Sequence, residues 1–225
     1  MMNPLAPHTA AGRYMVCTMP AIRYKNMKAY IFLADGFEEV EALTTADILI
    51  RAGVEVKLVK VLVGSDPIDS SRGSDPDDAF VCGSHNIRVK ADLALGVNVT
   101  ADELTDGDCV ILPGGMPGTK NLAASADVVR LIKAYNEAGK VVAAICAAPS
   151  VLGLNGLLNG KRATCFPGNE EKLIGATLVN TGAVIDGNIV TGKSMGSAVT
   201  FGLAVTERLL VKEAADKVEA SIYRG

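Results

Sequence analysis

Short apolar runs that end abruptly in glycine or cysteine turns, and that alternate with helical stretches, constrain this chain most. AYIFLADG (29–36) is a buried-strand run closed by Asp-Gly, DCVILPGG (108–115) is one closed by Gly-Gly, and VVAAI (141–145) runs straight into Cys146. VEVKLVKVLV (54–63) alternates as a strand does. Between the first two, residues 38–53 place Val40, Leu43, Asp47 and Ile50 on one helical stripe, with Gly53 as a stop. Residues 119–138 read as a helix with Leu122, Val128, Val129, Leu131, Ile132 and Tyr135 on its apolar side, and 147–158 as another. HNIRVKADLAL (85–95) reads as strand, either a hairpin arm or a sheet edge. RATCF follows as a short strand, then a helix near NEEKLIGA, a hairpin-like pair around Asp186-Gly187, and a final helix at about 196–211. Strands alternating with helices of this length predict an α/β domain, with a mostly parallel sheet and helices on both faces. In such sheets, sites form beyond the carboxyl ends of the strands. The turns Asp35-Gly36-Phe37-Glu38, Pro113-Gly114-Gly115 and Cys146-Ala147-Ala148 are therefore expected to meet in one crevice.

The chain has 225 residues, enough for one large domain, and 49% are hydrophobic. Only 4% are aromatic and none is Trp, so the core is aliphatic. The net charge of −3 leaves no footprint for nucleic acid or for an anionic membrane surface. No apolar stretch approaches the ~18 residues of a membrane span. The cysteines are Cys17, Cys82, Cys109, Cys146 and Cys165: an odd number, widely spaced, with no CxxC pair. This argues against a disulfide framework or a metal site and for a reducing, cytoplasmic setting. Residues 1–26 carry Arg13, Arg23 and Lys25 but no acid. They read either as an organelle-targeting peptide or as a non-folding extension ahead of a domain spanning 27–225. GSDPIDSSRGSDPDD (64–78) reads as a surface loop or insertion.

Cys146 sits at a strand–turn–helix junction. Such a junction holds a side chain clear of both elements, often in a strained backbone conformation. The helix N-terminus that follows is expected to favour thiolate over thiol, from ~8.5 toward the ~3.5–7.5 of activated cysteines. Glu38, Glu39 and Glu41 open the first helix. Glu38 and Glu39 read as complements to its dipole. Glu41 shares a face with Thr45 and Ile48, so its carboxyl is expected to be desolvated and protonated, a hydrogen-bond donor and proton shuttle for Cys146. The N–H groups of Gly115 and Ala147 suit an oxyanion hole, with Gly114 allowing close backbone approach. The two histidines are His8 and His85, and none follows Cys146, so a triad with its base after the nucleophile is excluded. His85 reads as a surface residue.

Taken together, LADGFEEVEALTTADILIRAG, VILPGGMPGTKNLAAS, VVAAICAAPSVL, KRATCFPG and TGKSMGSAVTFGLAVTERLL resemble the ThiJ/PfpI superfamily, in the branch of the parkinsonism-associated deglycase and its bacterial relatives. The resemblance covers essentially all of 27–225. It implies a flavodoxin-like three-layer sandwich and a homodimer. It also implies a nucleophile at Cys146 with a protonated partner at Glu41, and an oxyanion site at Gly115 and Ala147. The activity implied is glyoxalase or deglycase chemistry on small α-dicarbonyls such as methylglyoxal, without cofactor. The alternative is a redox-sensing stress protein or chaperone working through oxidation of Cys146. Arg51 matches one interface arginine of the family, and His85 stands near the position of another. Phe166 replaces a histidine that many relatives carry.

Overall fold

The computed structural model describes residues 26–62 and 79–223. The amino-terminal extension up to residue 25, His8, Cys17 and the polar break at 63–78 lie outside them. In chain order the elements are β1 (Lys28–Leu33), α1 (Glu39–Arg51), β2 (Glu55–Val61), β3 (Phe80–Cys82), β4 (Arg88–Lys90), β5 (Leu93–Leu95), β6 (Cys109–Leu112), α2 (Gly118–Ala124) and α3 (Ala126–Glu137). They continue with β7 (Val141–Ile145), α4 (Pro149–Leu154), β8 (Arg162–Ala163), β9 (Thr177–Leu178), β10 (Ala183–Asp186), β11 (Ile189–Gly192), α5 (Ala198–Leu209) and α6 (Lys212–Ser221).

Seven strands form one sheet in the order β10-β11-β7-β6-β1-β2-β5. All pairings are parallel except β10 with β11. The two faces follow from the period of two along a strand. In β1, Tyr30 and Phe32 point to a core shared with Leu122 of α2, Leu131 and Tyr135 of α3 and Leu152 of α4. Ala29, Ile31 and Leu33 point to the other core, with Ala42, Ala46 and Leu49 of α1 and Phe201 and Val205 of α5. β6 and β7 divide the same way: Val110, Leu112, Val142 and Ala144 face α2–α4, and Cys109, Ile111, Val141, Ala143 and Ile145 face α1 and α5. The result is the flavodoxin-like three-layer α/β sandwich. The chain runs outward from β1 to β2 and β5, then returns to β6 and runs the other way. The strand order therefore reverses at β1/β6, where open sheets bind ligands.

Several elements differ from the sequence expectation. The helix expected over 119–138 is two, because Ser125 turns out of the helical conformation and its hydroxyl caps α3 by accepting from the Val128 N–H. Stretch 85–95 is both of the things it could be, a hairpin arm and a sheet edge, rather than one strand. β4 pairs with β3 as a separate hairpin, while β5 joins the main sheet beside β2. The helix expected over 147–158 stops at Leu154, and the one near 170 is a single 3₁₀ turn. A last helix, α6, goes beyond the sequence expectation. It lays Ala215 and Val218 over Ile48 of α1 and Leu203 of α5.

The stripe on α1 is also inverted. Val40, Leu43 and Ile50 are exposed, while the buried face carries Glu41, Ala42, Thr45, Ala46, Ile48 and Leu49. Ala42, Thr45 and Ala46 pack α1 closely on the sheet beside Ile48 and Leu49, while Val40, Leu43 and Ile50 look outward. No helix among the described residues is long and apolar enough to cross a membrane.

Candidate active site

Three turns converge at the carboxyl ends of β1, β6 and β7, as the sequence predicts. Cys146 follows β7 directly and is held between two strands' ends: its N–H donates to Gly192 O at 2.9 Å, and its carbonyl accepts from Phe166 N–H at 2.8 Å. Its φ is +66°. A non-glycine residue there costs about 1–3 kcal/mol and persists only where the surroundings impose it. Here β7, the tie to Gly192 and the start of α4 impose it.

Glu41 comes from the first turn of α1 and is fully buried. Its Oε2 accepts from Gly114 N–H at 2.8 Å. Its Oε1 has no hydrogen-bond partner among the described residues. Gly114 shows how tightly the pair is set. A methyl group on its Cα would stand 3.1 Å from Cys146 Sγ, 2.7 Å from Cys146 Cβ and 2.8 Å from Glu41 Oε2. Gly115 adopts φ +88°, and a side chain there would run into the backbone of residues 36–38. That approach locks the β1 turn to the β6 turn, with Glu38 N–H donating to Gly114 O at 2.9 Å.

Burial pushes the Glu41 carboxyl up to about 7, against the opposing pull of the Gly114 N–H and of Cys146. Burial likewise pushes the Cys146 thiol up to about 12, with the negative charge and hydrogen bond of Glu41 next in weight. The backbone N–H groups of Ala147 and Gly115 act on the sulfur in the opposite direction. This corrects the expectation of a thiol lowered by the helix terminus alone. α4 has only six residues, and desolvation outweighs its dipole. An ionised Glu41 strengthens the sulfur's hold on its proton.

The raised carboxyl has a stability consequence. Between the ordinary carboxylate range and about pH 7, the folded chain holds a proton that the unfolded chain has released. Stability from this group is full below that window and is lost as pH rises through it. Glu41→Gln removes the dependence. Its melting temperature relative to wild type is expected to climb from pH 4.5 to pH 8 by an amount equivalent to roughly 1–3 kcal/mol. A difference that stays flat across this range contradicts a buried acid at Glu41.

Arg51 and His85 make their contacts outside the cluster of Cys146, Glu41 and Gly114. Arg51 ends α1, about 15 Å along the helix from Glu41, and pairs with Asp47 on the exposed side. His85 is on the β3–β4 turn beside Glu39, its Nδ1 3.0 Å from Glu39 Oε2 and 3.8 Å from Glu38 Oε1. Glu39 is not the solvated dipole partner expected. It is buried, and its carboxylate accepts from the backbone N–H groups of His85 at 2.8 Å and Ile87 at 3.4 Å. The His85 ring and these N–H groups outweigh its desolvation and hold it down at about 2. Its role as a clasp for the hairpin is hidden in an EEVE run that reads as charge. The potential ligand atoms of Glu38, Glu39 and His85 lie within 4.8 Å of one another, but those of Glu39 and His85 already engage each other.

Residues 27–208 match the DJ-1/PfpI family. The chain belongs to the DJ-1/PfpI family. It is 33% identical over 195 residues to Protein dj-1beta of Drosophila melanogaster, covering 86% of this chain and 95% of that one. It is 35% identical over 199 residues to Protein DJ-1 homolog B of Arabidopsis thaliana, covering 87% of this chain but only 41% of that protein's length. Among solved structures, a DJ-1 superfamily protein from Salmonella typhimurium superposes with a TM-score of 0.74 at 30% identity, over 88% of this chain and 99% of that one. DJ-1 of Toxoplasma gondii, in an oxidized form, does so with a TM-score of 0.74 at 31% identity, over 87% and 97% of the two chains. DJ-1/PfpI membership accounts for the flavodoxin-like α/β fold of this chain.

Proposed function

We propose that this DJ-1/PfpI protein is a cofactor-independent glyoxalase in which Cys146 is the nucleophile and Glu41 the proton shuttle. The observation that carries the reading is the pairing of Cys146, at positive φ and faced by the Gly115 and Ala147 N–H groups, with a buried Glu41 whose Oε1 has no partner among the described residues. A proton on the Glu41 carboxyl lets the Glu41–Cys146 hydrogen bond run from carboxyl to sulfur, and the two N–H groups stabilise the sulfur's charge. The pair then carries one proton on the carboxyl and one negative charge on the thiolate.

The thiolate adds to the aldehyde carbon of methylglyoxal, and the aldehyde oxygen takes a proton to give a hemithioacetal. Glu41 relays the proton from C1 to C2 through an enediol, leaving a thioester of lactate. Water cleaves the thioester and restores the thiol. C1 is oxidised and the ketone carbon reduced within one molecule, so the only co-reactant is water. The same addition to early dicarbonyl adducts of amines or thiols is deglycase chemistry. Purified protein is expected to convert methylglyoxal to lactate with no added thiol, metal or nucleotide. Absence of lactate would end this reading.

We further propose that the protein is a homodimer through the outer face of α1. Val40, Leu43 and Ile50 are exposed there, and Phe80 and Ile87 are exposed on the hairpin that Glu39 clasps to the start of that helix. Large aliphatic side chains on one face of a packed helix mark an association surface. Sedimentation is expected to give twice the 23.4 kDa chain mass, falling to one chain in Leu43→Glu/Ile50→Glu. A dimer that survives both charges would place the interface elsewhere.

A further inference from the structure

Resting on the glyoxalase reading, we propose that the mouth of the Cys146 site selects α-oxoaldehydes bearing an uncharged apolar substituent of aromatic size. Phe166 is the specificity-determining side chain. Phe166 is tied to the site by its own backbone, whose N–H donates to the Cys146 carbonyl at 2.8 Å. Yet the residue is 47% exposed. Two more apolar residues stand half open on neighbouring segments: Met116, next to Gly115, at 45%, and Met195 at 51%. Met195 begins the 3₁₀ turn just beyond Gly192, whose carbonyl accepts the Cys146 N–H. Three large apolar residues are thus left partly uncovered on three segments that are bonded to the Cys146 backbone or run on from Gly115, in a fold that buries its other phenylalanines apart from Phe80.

Charge points the same way. Segments 113–117, 164–168 and 192–196 read PGGMP, TCFPG and GKSMG, so Lys193 is their only charged residue. The Lys193 ammonium is engaged by Asn180 Oδ1. With the aldehyde carbon on Sγ and its oxygen toward the Gly115 and Ala147 N–H groups, the second carbonyl and its substituent must leave toward solvent across these segments. A methyl group ends before it gains much from them. A phenyl ring is long enough to cover Phe166 and lose water from both faces.

The test compares kcat/KM for phenylglyoxal and methylglyoxal in wild type and in Phe166→Ala, with Met195→Ser as a second variant. Comparing the ratio between variants cancels the intrinsic reactivity of the two aldehydes. The ratio is expected to fall about tenfold in Phe166→Ala and by a smaller factor in Met195→Ser. A ratio unchanged within about twofold in both overturns the proposal, while turnover itself upholds the glyoxalase reading. If wild type turns over neither aldehyde, the glyoxalase reading falls alone. The mouth is then read from Cys146 alkylation by 2-bromoacetophenone relative to bromoacetone. Loss of the aromatic preference in Phe166→Ala supports the apolar mouth, and its persistence overturns it.

Discussion

Cys146→Ser is expected to leave the fold intact and to abolish lactate formation from methylglyoxal, with a loss of at least about 10³-fold. Serine is close in volume and takes over the same backbone ties to Gly192 and Phe166, so the melting temperature should move by only a few degrees. A serine hydroxyl, unlike a thiol, cannot share a proton usefully with a carboxyl that titrates near 7, so no nucleophile forms. Retained turnover in the Cys146→Ser variant would remove the sulfur from the chemistry. A wild-type protein that makes no lactate but takes two oxygens on Cys146 under mild peroxide would instead be the redox sensor.

The second large effect is expected at a residue with no side chain. Gly114 has no left-handed φ, so alanine is permitted by the backbone alone. The added methyl nevertheless falls 2.7 Å from Cys146 Cβ and 2.8 Å from Glu41 Oε2. Neither neighbour can yield, because Cys146 is fixed by β7 and Glu41 is packed in the α1 face of the core. Gly114→Ala should therefore push the sulfur and the carboxyl apart and break the Gly114 N–H bond to Oε2. The expected result is a fall in kcat of about 100-fold or more, with a change in KM of only a few-fold. Wild-type kcat in this variant would mean that close pairing of the two groups is not needed.

How far the chain can be read from its residues depends on the kind of signal. The sheet is legible because each central strand is a continuous aliphatic run ended by a turn that only glycine or a functional residue tolerates. Gly115 at φ +88° and Cys146 at φ +66° are those turns. Burial of Glu41 is legible from its spacing to Thr45 and Ile48. The outward stripe on α1 misleads because large aliphatic side chains ordinarily mark the core, whereas close packing on the sheet favours Ala42 and Ala46. Glu39 misleads because its partners are backbone N–H groups of a hairpin 46 and 48 residues away, which no local pattern reveals. The raised Cys146 thiol escapes for a related reason. Helix-terminus arguments use neighbours in sequence, while desolvation comes from the whole α1 and α5 layer packed against it. α6 is hidden because its buried side is mostly alanine.

The pH dependence of Cys146 alkylation by iodoacetamide, in wild type and in Glu41→Gln, probes the shared proton directly. With the proton on Glu41 and the charge on sulfur, wild-type reactivity should rise through a transition near pH 7 and then level off. In Glu41→Gln the thiol keeps its burial but loses its acid partner, so the transition should move well into the alkaline range. Wild-type sulfur that stays inert until strongly alkaline solution, or a profile that ignores the loss of Glu41, would contradict the pairing.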